Sequence, residues 1–290
     1  MHHFSIRDIE NLSGIKAHTL RMWEQRYGLC VCKRKESMHR YYDNDDLKHI
    51  LRIAYLYHNG YKISKIAQLS TDEIIMLASK KYSGDEYEVL VNQLVVASID
   101  YDQQQFEKVF SGLLRTMGLE KSIEKVIYPF FEKIGLLWMT GHVLPAQEHF
   151  CSYLIQNTII AAINALPTIN TETNRFLLFT PEGEKHELPL LFIQYLIKKK
   201  GHKTIMLGKN VSLETIKYYC EHQPASHLCF HLITNFTNCE PAEYLRKLSL
   251  AFADKKIIAS GPAFNGLENL PGNIVLIHSL QHAISLEFLA

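Results

Sequence analysis

Beyond residue 174 the sequence alternates short apolar runs with helical stretches, and this alternation constrains the fold more than any other feature. The apolar runs read RFLLFTP, KTIMLG, SHLCFHLIT, KIIASG and NIVLIHS. The stretches between them, such as ELPLLFIQYLIKKKG, are about 10–15 residues long and have helical spacing. Strands that alternate with helices of this length favour a parallel sheet covered by helices on both faces. We therefore predict a Rossmann-like (flavodoxin-like) parallel sheet domain over residues 174–290.

A histidine follows the first apolar run of this domain, in the acidic loop TPEGEKHELP. Ligands of such sheets bind outside the carboxyl ends of the strands. The loop therefore places His186 where a ligand is expected, among glutamates that are suited to orient its ring.

The amino-terminal stretch FSIRDIENLSGIKAHTLRMWEQRYGL predicts two short helices joined by a turn. Ser5 is a suitable cap for the first helix, and the Ser-Gly pair at 13–14 ends it. The second helix runs from about residue 15 to 26 and ends at Gly28. Two short helices joined by a turn that contains glycine form the helix-turn-helix pattern. The next stretch, CVCKRKESMHRYYDNDD, predicts two short strands with a basic tip, which is a wing.

Basic residues concentrate in this head, although the formal net charge of the chain is only +1. Residues 16–40 hold seven Lys and Arg against two Asp and Glu. A local basic surface on a near-neutral protein favours a polyanion-binding module attached to something else. A solvated basic face is the alternative.

Helical spacing dominates the middle of the chain. We predict amphipathic helices at about 85–98, 102–117, 119–140 and 144–165. Four such helices with short links form an antiparallel bundle. The polar stretch at 166–174 is predicted to be a linker. The predicted domains are a winged helix-turn-helix head over 1–78, a four-helix bundle over 84–166 and the sheet domain over 174–290, which makes the chain multidomain α and α/β.

Residues 4–75 resemble the MerR family of transcription regulators. The resemblance is carried by HTLRMWEQRYGL in the second helix, HRYYDNDDL after the wing and NGYKISKIAQLS beyond it. It implies a homodimer that binds double-stranded promoter DNA and distorts it, and a homotetramer is the alternative that we keep open for the whole chain. Phosphate contacts position such a protein, and only a few side chains read base edges. The implied DNA contacts are Thr19, Arg21, Arg26, Arg40 and Tyr41, and Trp23 is expected to be a core residue.

Two further motifs resemble those of cobalamin-binding domains. Glu184-Lys185-His186 is similar to the Glu/Asp-x-His core, in which the histidine replaces the lower ligand of cobalt. Trp138, followed after nine residues by Glu148-His149, is similar to the motif of the helical cap over the upper face. Together with the head, they make the chain resemble the cobalamin-dependent photoreceptor regulators of bacteria. In that family adenosylcobalamin is the light-sensitive ligand, and loss of its upper group shifts the cap and the DNA affinity.

The resemblance gives these residues roles. His186 would bind cobalt, while Glu184 would accept a hydrogen bond from the other ring nitrogen and so fix the tautomer. Trp138 would close an apolar lid, and Glu148 with His149 would meet the adenosyl group. The full set of implied cofactor contacts is Trp138, Glu148, His149, Glu184, His186, Thr234, Ser260 and Gly261.

The chain departs from the family pattern at five positions, and at one of them, Thr234 in place of serine, the hydroxyl is kept. Pro189 stands where the family has a glycine after the histidine, and Phe236 stands where it has leucine. Ser260 replaces the first glycine of a Gly-Gly pair, so the space for the nucleotide tail of the cofactor is narrower. Met139 follows Trp138 where the photoreceptors often have a histidine that takes the upper cobalt site after photolysis.

Two alternatives to a cobalamin-tuned regulator follow from the same residues. In one, the sensor domain needs no cofactor, serves oligomerisation or binds another ligand, and His186 is a satisfied loop histidine. In the other, the chain is a corrinoid methyltransferase subunit, against which the head counts. We do not expect an enzyme, because the fifteen histidines form no His-Glu-x-x-His pattern and no nucleophilic motif is present.

The cysteines and the length of the apolar runs indicate the cellular compartment. The six cysteines are scattered, which predicts reduced thiols in a cytoplasm. The pair in CVC at 30–32 suggests a metal site, but partner ligands at zinc spacing are missing. No apolar run approaches the length of a membrane span, so no membrane partner is expected.

Overall fold

The computed structural model describes residues 4–34, 40–58, 60–78, 86–139, 143–167, 174–233 and 240–285. The chain divides into two compact units, Met1–Leu154 and Ile155–Ala290. Within the described residues, no helix is both long enough and apolar enough to cross a membrane. The boundaries predicted between head, bundle and sheet domain coincide with 79–85 and 168–173, which lie outside the described residues, and they stay a prediction.

The head contains the two helices and the wing that the sequence predicts. Ser5 caps the first helix in a capping box with Asp8. Gly14 and Gly28 end the two helices at φ values of 70° and 65°, which glycine adopts without steric cost. The two short strands pair antiparallel. The elements of the head are α1 Ile6–Ser13, α2 Ala17–Tyr27, β1 Lys33–Arg34, β2 Arg40–Tyr41, α3 Asn44–His58, α4 Ile63–Ile66 and α5 Thr71–Ala78.

Packing joins the second helix and the wing to the rest of the head. Trp23 of α2 is buried, as predicted, and its ring lies edge-on to Tyr57 of α3 at 4.8 Å between centroids. The amide of Cys32 donates to the Glu24 carboxylate at 3.2 Å. Cys30 and Cys32 are buried and form no disulfide, and in the described part of the chain no three or more His, Cys, Asp or Glu side chains are grouped to hold a metal ion.

The middle of the chain forms α6 Glu86–Ile99, α7 Gln103–Ser122, α8 Tyr128–Met139 and α9 Pro145–Ala165. The Asp102 side chain caps α7 by accepting from the amide of Gln105. Gly118, at φ 75° and ψ 172°, interrupts the helical path inside α7 at the predicted break. The sequence did not predict the π-helical turn at Ile123–Ile127, which continues this path into α8.

The second unit contains a five-stranded parallel sheet in the order β4-β3-β5-β6-β7. In chain order this is the flavodoxin-like arrangement 2-1-3-4-5, whose switch point lies between the first and third strands. The predicted fold class is confirmed. The elements are β3 Arg175–Pro181, α10 Leu188–Lys199, β4 Lys203–Val211, α11 Leu213–His222, β5 His227–His231, α12 Pro241–Ala251, β6 Lys256–Ser260, β7 Ile274–Ile277 and α13 Leu280–Ser285.

Strand boundaries differ from the prediction at two places. The strand predicted to reach Thr234 ends at His231, because the amide of Ile233 donates to the Glu184 side chain and not to a neighbouring strand. The strand predicted over 203–208 continues to Val211, with irregular register opposite Phe179 and Pro181. Both differences occur at the carboxyl ends of strands, beside the loop that carries His186.

Candidate functional site

His186 lies in the loop between β3 and α10. The structure shows that the departure at Pro189 has a local reason, because α10 starts at Leu188 and Pro189 lies in its first turn. A proline fits there, since the first amides of a helix have no partner within the helix.

The Glu184 carboxylate is fully buried and joins two loops of the switch point. Its Oε1 accepts the backbone amide of His186 at 2.8 Å and lies 2.6 Å from Nδ1 of the same residue. Its Oε2 accepts the amide of Ile233 at 2.8 Å. One side chain therefore ties the loop after β3 to the loop after β5.

This contact determines the form of the imidazole. A carboxylate only accepts hydrogen bonds, so Nδ1 of His186 carries the hydrogen and donates it. In the neutral ring the unshared electron pair is then on Nε2, the atom that a metal ion binds. The His186 side chain is 51% exposed, whereas Glu184 is 0% exposed. An exposed imidazole held by a buried acceptor is the usual arrangement of a metal-ligating histidine.

Further hydrogen bonds hold the loop in one conformation. The hydroxyl of Thr180 donates to the Glu184 carbonyl at 2.8 Å and accepts the amide of Asn210 at 3.1 Å. The Asn210 side-chain oxygen accepts the amide of Gly183 at 2.8 Å. Asn210 has a φ of 58°, a conformation that asparagine tolerates better than most residues. These contacts connect the loop that carries His186 to the ends of β3 and β4.

A second histidine, which sequence reasoning missed, ends β5 beside this loop. His231 is buried, and its Nδ1 lies 2.8 Å from the hydroxyl of Ser260, which itself donates to the Phe230 carbonyl at 3.2 Å. The His231 ring and the Ser260 hydroxyl therefore form one buried hydrogen bond, whose direction follows the tautomer of the imidazole. The sequence did contain a signal for His231: the apolar run LCFH ends in a histidine, at the carboxyl end of a strand and so at the same sheet edge as His186.

The pKa of His231 gives a prediction for acid stability. Burial lowers the pKa of His231 to about 4; nearby Glu184 opposes this effect and His186 adds to it. The unfolded chain binds the proton as the pH falls through about 6.5, but the folded chain binds it only near 4. The folded state therefore loses stability over this range, by about 3 kcal/mol for this group.

Denaturant unfolding between pH 7 and 4.5 tests this expectation. His231→Gln keeps a hydrogen-bonding group for Ser260 and does not titrate, so its free energy of unfolding should fall less steeply with acid than that of the wild type. Parallel curves for the two proteins would show that His231 contributes nothing to the acid response.

The structure describes some of the residues that are predicted to lie near the nucleotide tail of the cofactor. Ser260 is buried and bonded to His231, as described above. Gly261 has a φ of 116°, and a Cβ there would lie 2.1 Å from the Leu232 carbonyl oxygen, so the close backbone approach by itself requires glycine. Thr234 and Phe236 lie outside the described residues. Cofactor contact by Ser260 and Gly261 stays a prediction.

The predicted cap residues lie at the ends of two helices of the first unit. Trp138 is in the last turn of α8, but its side chain, like that of Met139, is outside the described part of the structure. Glu148 and His149 lie near the start of α9, with side chains 35% and 75% exposed and 3.6 Å between His149 Nε2 and Glu148 Oε2. The Ser152 hydroxyl donates to Glu148 at 2.6 Å and orients its carboxylate.

The second helix of the head presents a polar face. Of the predicted contacts on α2, Arg21 and Arg26 are exposed and Thr19 is half-buried. His18 and Gln25, which were not predicted, are exposed on the same face, because they lie three and four positions from Arg21.

The remaining predicted DNA contacts lie in the wing. Tyr41 in β2 pairs with Lys33 and is half-buried. Arg40 pairs with Arg34 through the backbone, and its side chain falls outside the described part. Lys33 forms ion pairs with Asp43 and Asp46, which tie the wing to the start of α3.

Two family descriptions match the chain. Residues 4–73 match the MerR HTH family of regulatory proteins, over the head described above. Residues 90–162 match the B12 binding domain, over the helices that carry Trp138, Glu148 and His149. The two matches follow each other in the order that the motifs predict.

Similar proteins and structures agree with these matches. The HTH-type transcriptional repressor CarH of Myxococcus xanthus is 24% identical over 220 residues, which is 73% of this chain and 73% of CarH. The repressor CarA of the same organism is 27% identical over 224 residues, 74% of this chain and 71% of CarA. The monomethylamine corrinoid protein of Methanosarcina barkeri has the same fold over 69% of this chain and 97% of its own, with a TM-score of 0.57 at 13% identity.

Proposed function

We propose that this chain, a MerR-type DNA-binding regulator with a B12-binding domain, holds a cobalamin through His186 and changes its affinity for promoter DNA with the state of that cofactor. The observation that carries the proposal is the buried Glu184 carboxylate, which fixes the tautomer of a half-exposed imidazole at the switch point of the sheet. The similarity to CarH and CarA, both named as repressors, supports the link to transcription.

The donor set suits a corrinoid. A neutral imidazole nitrogen is a common ligand of transition metals, and a carboxylate on the other nitrogen raises its basicity. Bound cobalamin would supply a cobalt ion and, where its upper ligand is adenosyl, a cobalt–carbon bond that light breaks. On the protein side, His186 would bind the metal and Glu184 would hold the ring. Glu148 and His149, at the exposed start of α9, would bind the upper group.

The proposed signal is a change in the upper ligand of the cofactor. We take adenosylcobalamin as the ligand and light as one way to remove its upper group, after which Glu148 and His149 would lose that contact. A homodimer or homotetramer is the unit whose DNA affinity changes. Each of these steps needs the ligand to bind two states of the protein with different affinity.

DNA binding by the head gives a prediction for Arg21. Arg21→Ala should weaken binding to a promoter fragment and reduce the slope of log affinity against log salt by about one, because one phosphate contact is lost. Fluorescence anisotropy over a salt series measures both quantities. Lys217→Ala, an exposed position of α11, changes the net charge equally and should leave the slope unchanged. Equal slopes for all three proteins would remove Arg21 from the DNA interface.

A second candidate is a corrinoid protein without a role in transcription, which the fold shared with the Methanosarcina barkeri protein favours. The two functions differ in their need for DNA. Purified protein is first tested for retention of adenosylcobalamin through desalting in the dark, and then for binding to fragments of its own gene neighbourhood at low salt. Retention with DNA binding supports the regulator. Retention without DNA binding favours the second candidate, and loss of the corrinoid favours a cofactor-free sensor.

A further inference from the structure

A buried amide joins the start of α9 to the end of α6. Gln147 lies in the first turn of α9 and is only 5% exposed. Its Nε2 donates to the carbonyl of Ile99, the last residue of α6, at 2.8 Å, and its Oε1 accepts the amide of Leu144 at 2.8 Å. Both ends of the amide are satisfied, so the side chain fixes one helix terminus against the other.

The chain turns sharply where Gln147 binds. Tyr101, between α6 and α7, has a φ of 54°, a conformation that costs free energy for a residue other than glycine. Its ring lies edge-on to that of Phe150 in α9, at 5.5 Å between centroids. This turn, residues 99–102, is hereafter the α6–α7 corner. It is held by two contacts from the same helix, one polar and one aromatic.

The same corner binds the head. The Asp100 carboxylate accepts from Nζ of Lys48 in α3, and Lys48 also lies 3.5 Å from Asp45. The Lys48 side chain is only 14% exposed. The Asp100 side chain is 43% exposed, so the lysine is the buried partner of a pair that stays partly open to solvent. Since α3 also packs on Trp23 of α2, the corner is linked to the DNA-binding helix.

We propose that Gln147 is a positioning residue that couples the cofactor-facing start of α9 to the DNA-binding head, through the α6–α7 corner and the Asp100–Lys48 pair. This inference rests on the proposed function. Glu148 and His149 follow Gln147 directly in the same helical turn, and their side chains are 35% and 75% exposed whereas Gln147 is buried. Any displacement of that turn by a ligand pulls on the Gln147–Ile99 hydrogen bond and therefore on the corner.

The coupling is measured as a ratio of DNA affinities. The affinity of the full chain for a promoter fragment is determined with adenosylcobalamin in the dark and without it, at one salt concentration. We expect the wild-type ratio to lie in the range of about 5- to 150-fold that is usual for coupled sites. Gln147→Met keeps the size of the side chain and removes both hydrogen bonds, and its ratio should fall towards one. Asp100→Asn, at a partly exposed position, removes the charge with little risk to folding and should act in the same way.

Corrinoid retention separates the possible failures. Gln147→Met and Asp100→Asn should retain the corrinoid as the wild type does, because neither residue belongs to the proposed cofactor contacts. Gln104→Met, an exposed glutamine on α7, is the matched control and should keep the wild-type ratio. A wild type that retains no corrinoid, or retains it without a change in DNA affinity, contradicts the proposed function together with the coupling. Full wild-type ratios in both variants contradict the coupling alone.

Discussion

His186→Ala protein, reconstituted with adenosylcobalamin in the dark, is expected to lose the corrinoid on desalting. The substitution removes the proposed cobalt ligand and leaves the buried Glu184 carboxylate without its imidazole partner. Loss of a partner outside the metal ligands typically weakens metal binding by about 10- to 100-fold, and loss of the ligand itself should exceed this. Equilibrium dialysis followed by visible absorbance gives the affinity.

The matched control is His222→Ala. His222 is also an exposed histidine of the second unit, and its Nδ1 bonds within α11 to the carbonyl of Tyr218. This variant should bind as the wild type does, which excludes a general effect of removing an imidazole. If His186→Ala also retained the corrinoid with an unchanged spectrum, the imidazole would not be a ligand.

The largest expected effect on stability is that of Gly261→Ala. The added methyl group would lie 2.1 Å from the Leu232 carbonyl oxygen, which is backbone and cannot move aside alone. The φ of 116° adds strain for any residue with a Cβ. We expect the free energy of unfolding to fall by about 4 kcal/mol or more, measured by denaturant titration.

Gly266→Ala separates the two causes. Gly266 has a φ of 78°, but a Cβ there would meet nothing within 4 Å. Its substitution should therefore cost only the conformational strain, about 1–2 kcal/mol. Equal costs at the two positions would mean that the close approach to Leu232 contributes nothing.

The sheet and its ligand edge could be predicted because the periodicity of the sequence is strong there. Each strand carries a continuous apolar run, and the central strands β3, β5 and β6 are almost entirely buried, as such runs predict. The end of β5 could not be predicted in the same way. Its apolar run continues through Ile233, and only the tertiary contact with Glu184 shows where the strand pairing stops. The same contact explains why His231 was missed as a member of the site edge.

For Gly261, the motif predicts that a glycine is present but not why the protein needs one. The resemblance implies a role for it beside the cofactor, whereas the structure gives a reason within the protein, the approach to Leu232. Gln147 belongs to no motif, although the structure gives it a specific contact. Its sequence neighbours Glu148 and His149 carry the motif, but its burial against Ile99 depends on how two distant helices pack. Local spacing contains no information about such a contact.

Cobalt coordination by His186 is tested most directly by electron paramagnetic resonance of the protein with bound cob(II)alamin. The unpaired electron of cobalt(II) couples to the nucleus of an axial nitrogen, so the lines are triplets for nitrogen-14 and doublets for nitrogen-15. Protein made with nitrogen-15 histidine and loaded with unlabelled corrinoid should show doublets if Nε2 of His186 binds the metal. Triplets that persist in the labelled protein would show that the axial nitrogen belongs to the corrinoid, and they would contradict the proposed ligation.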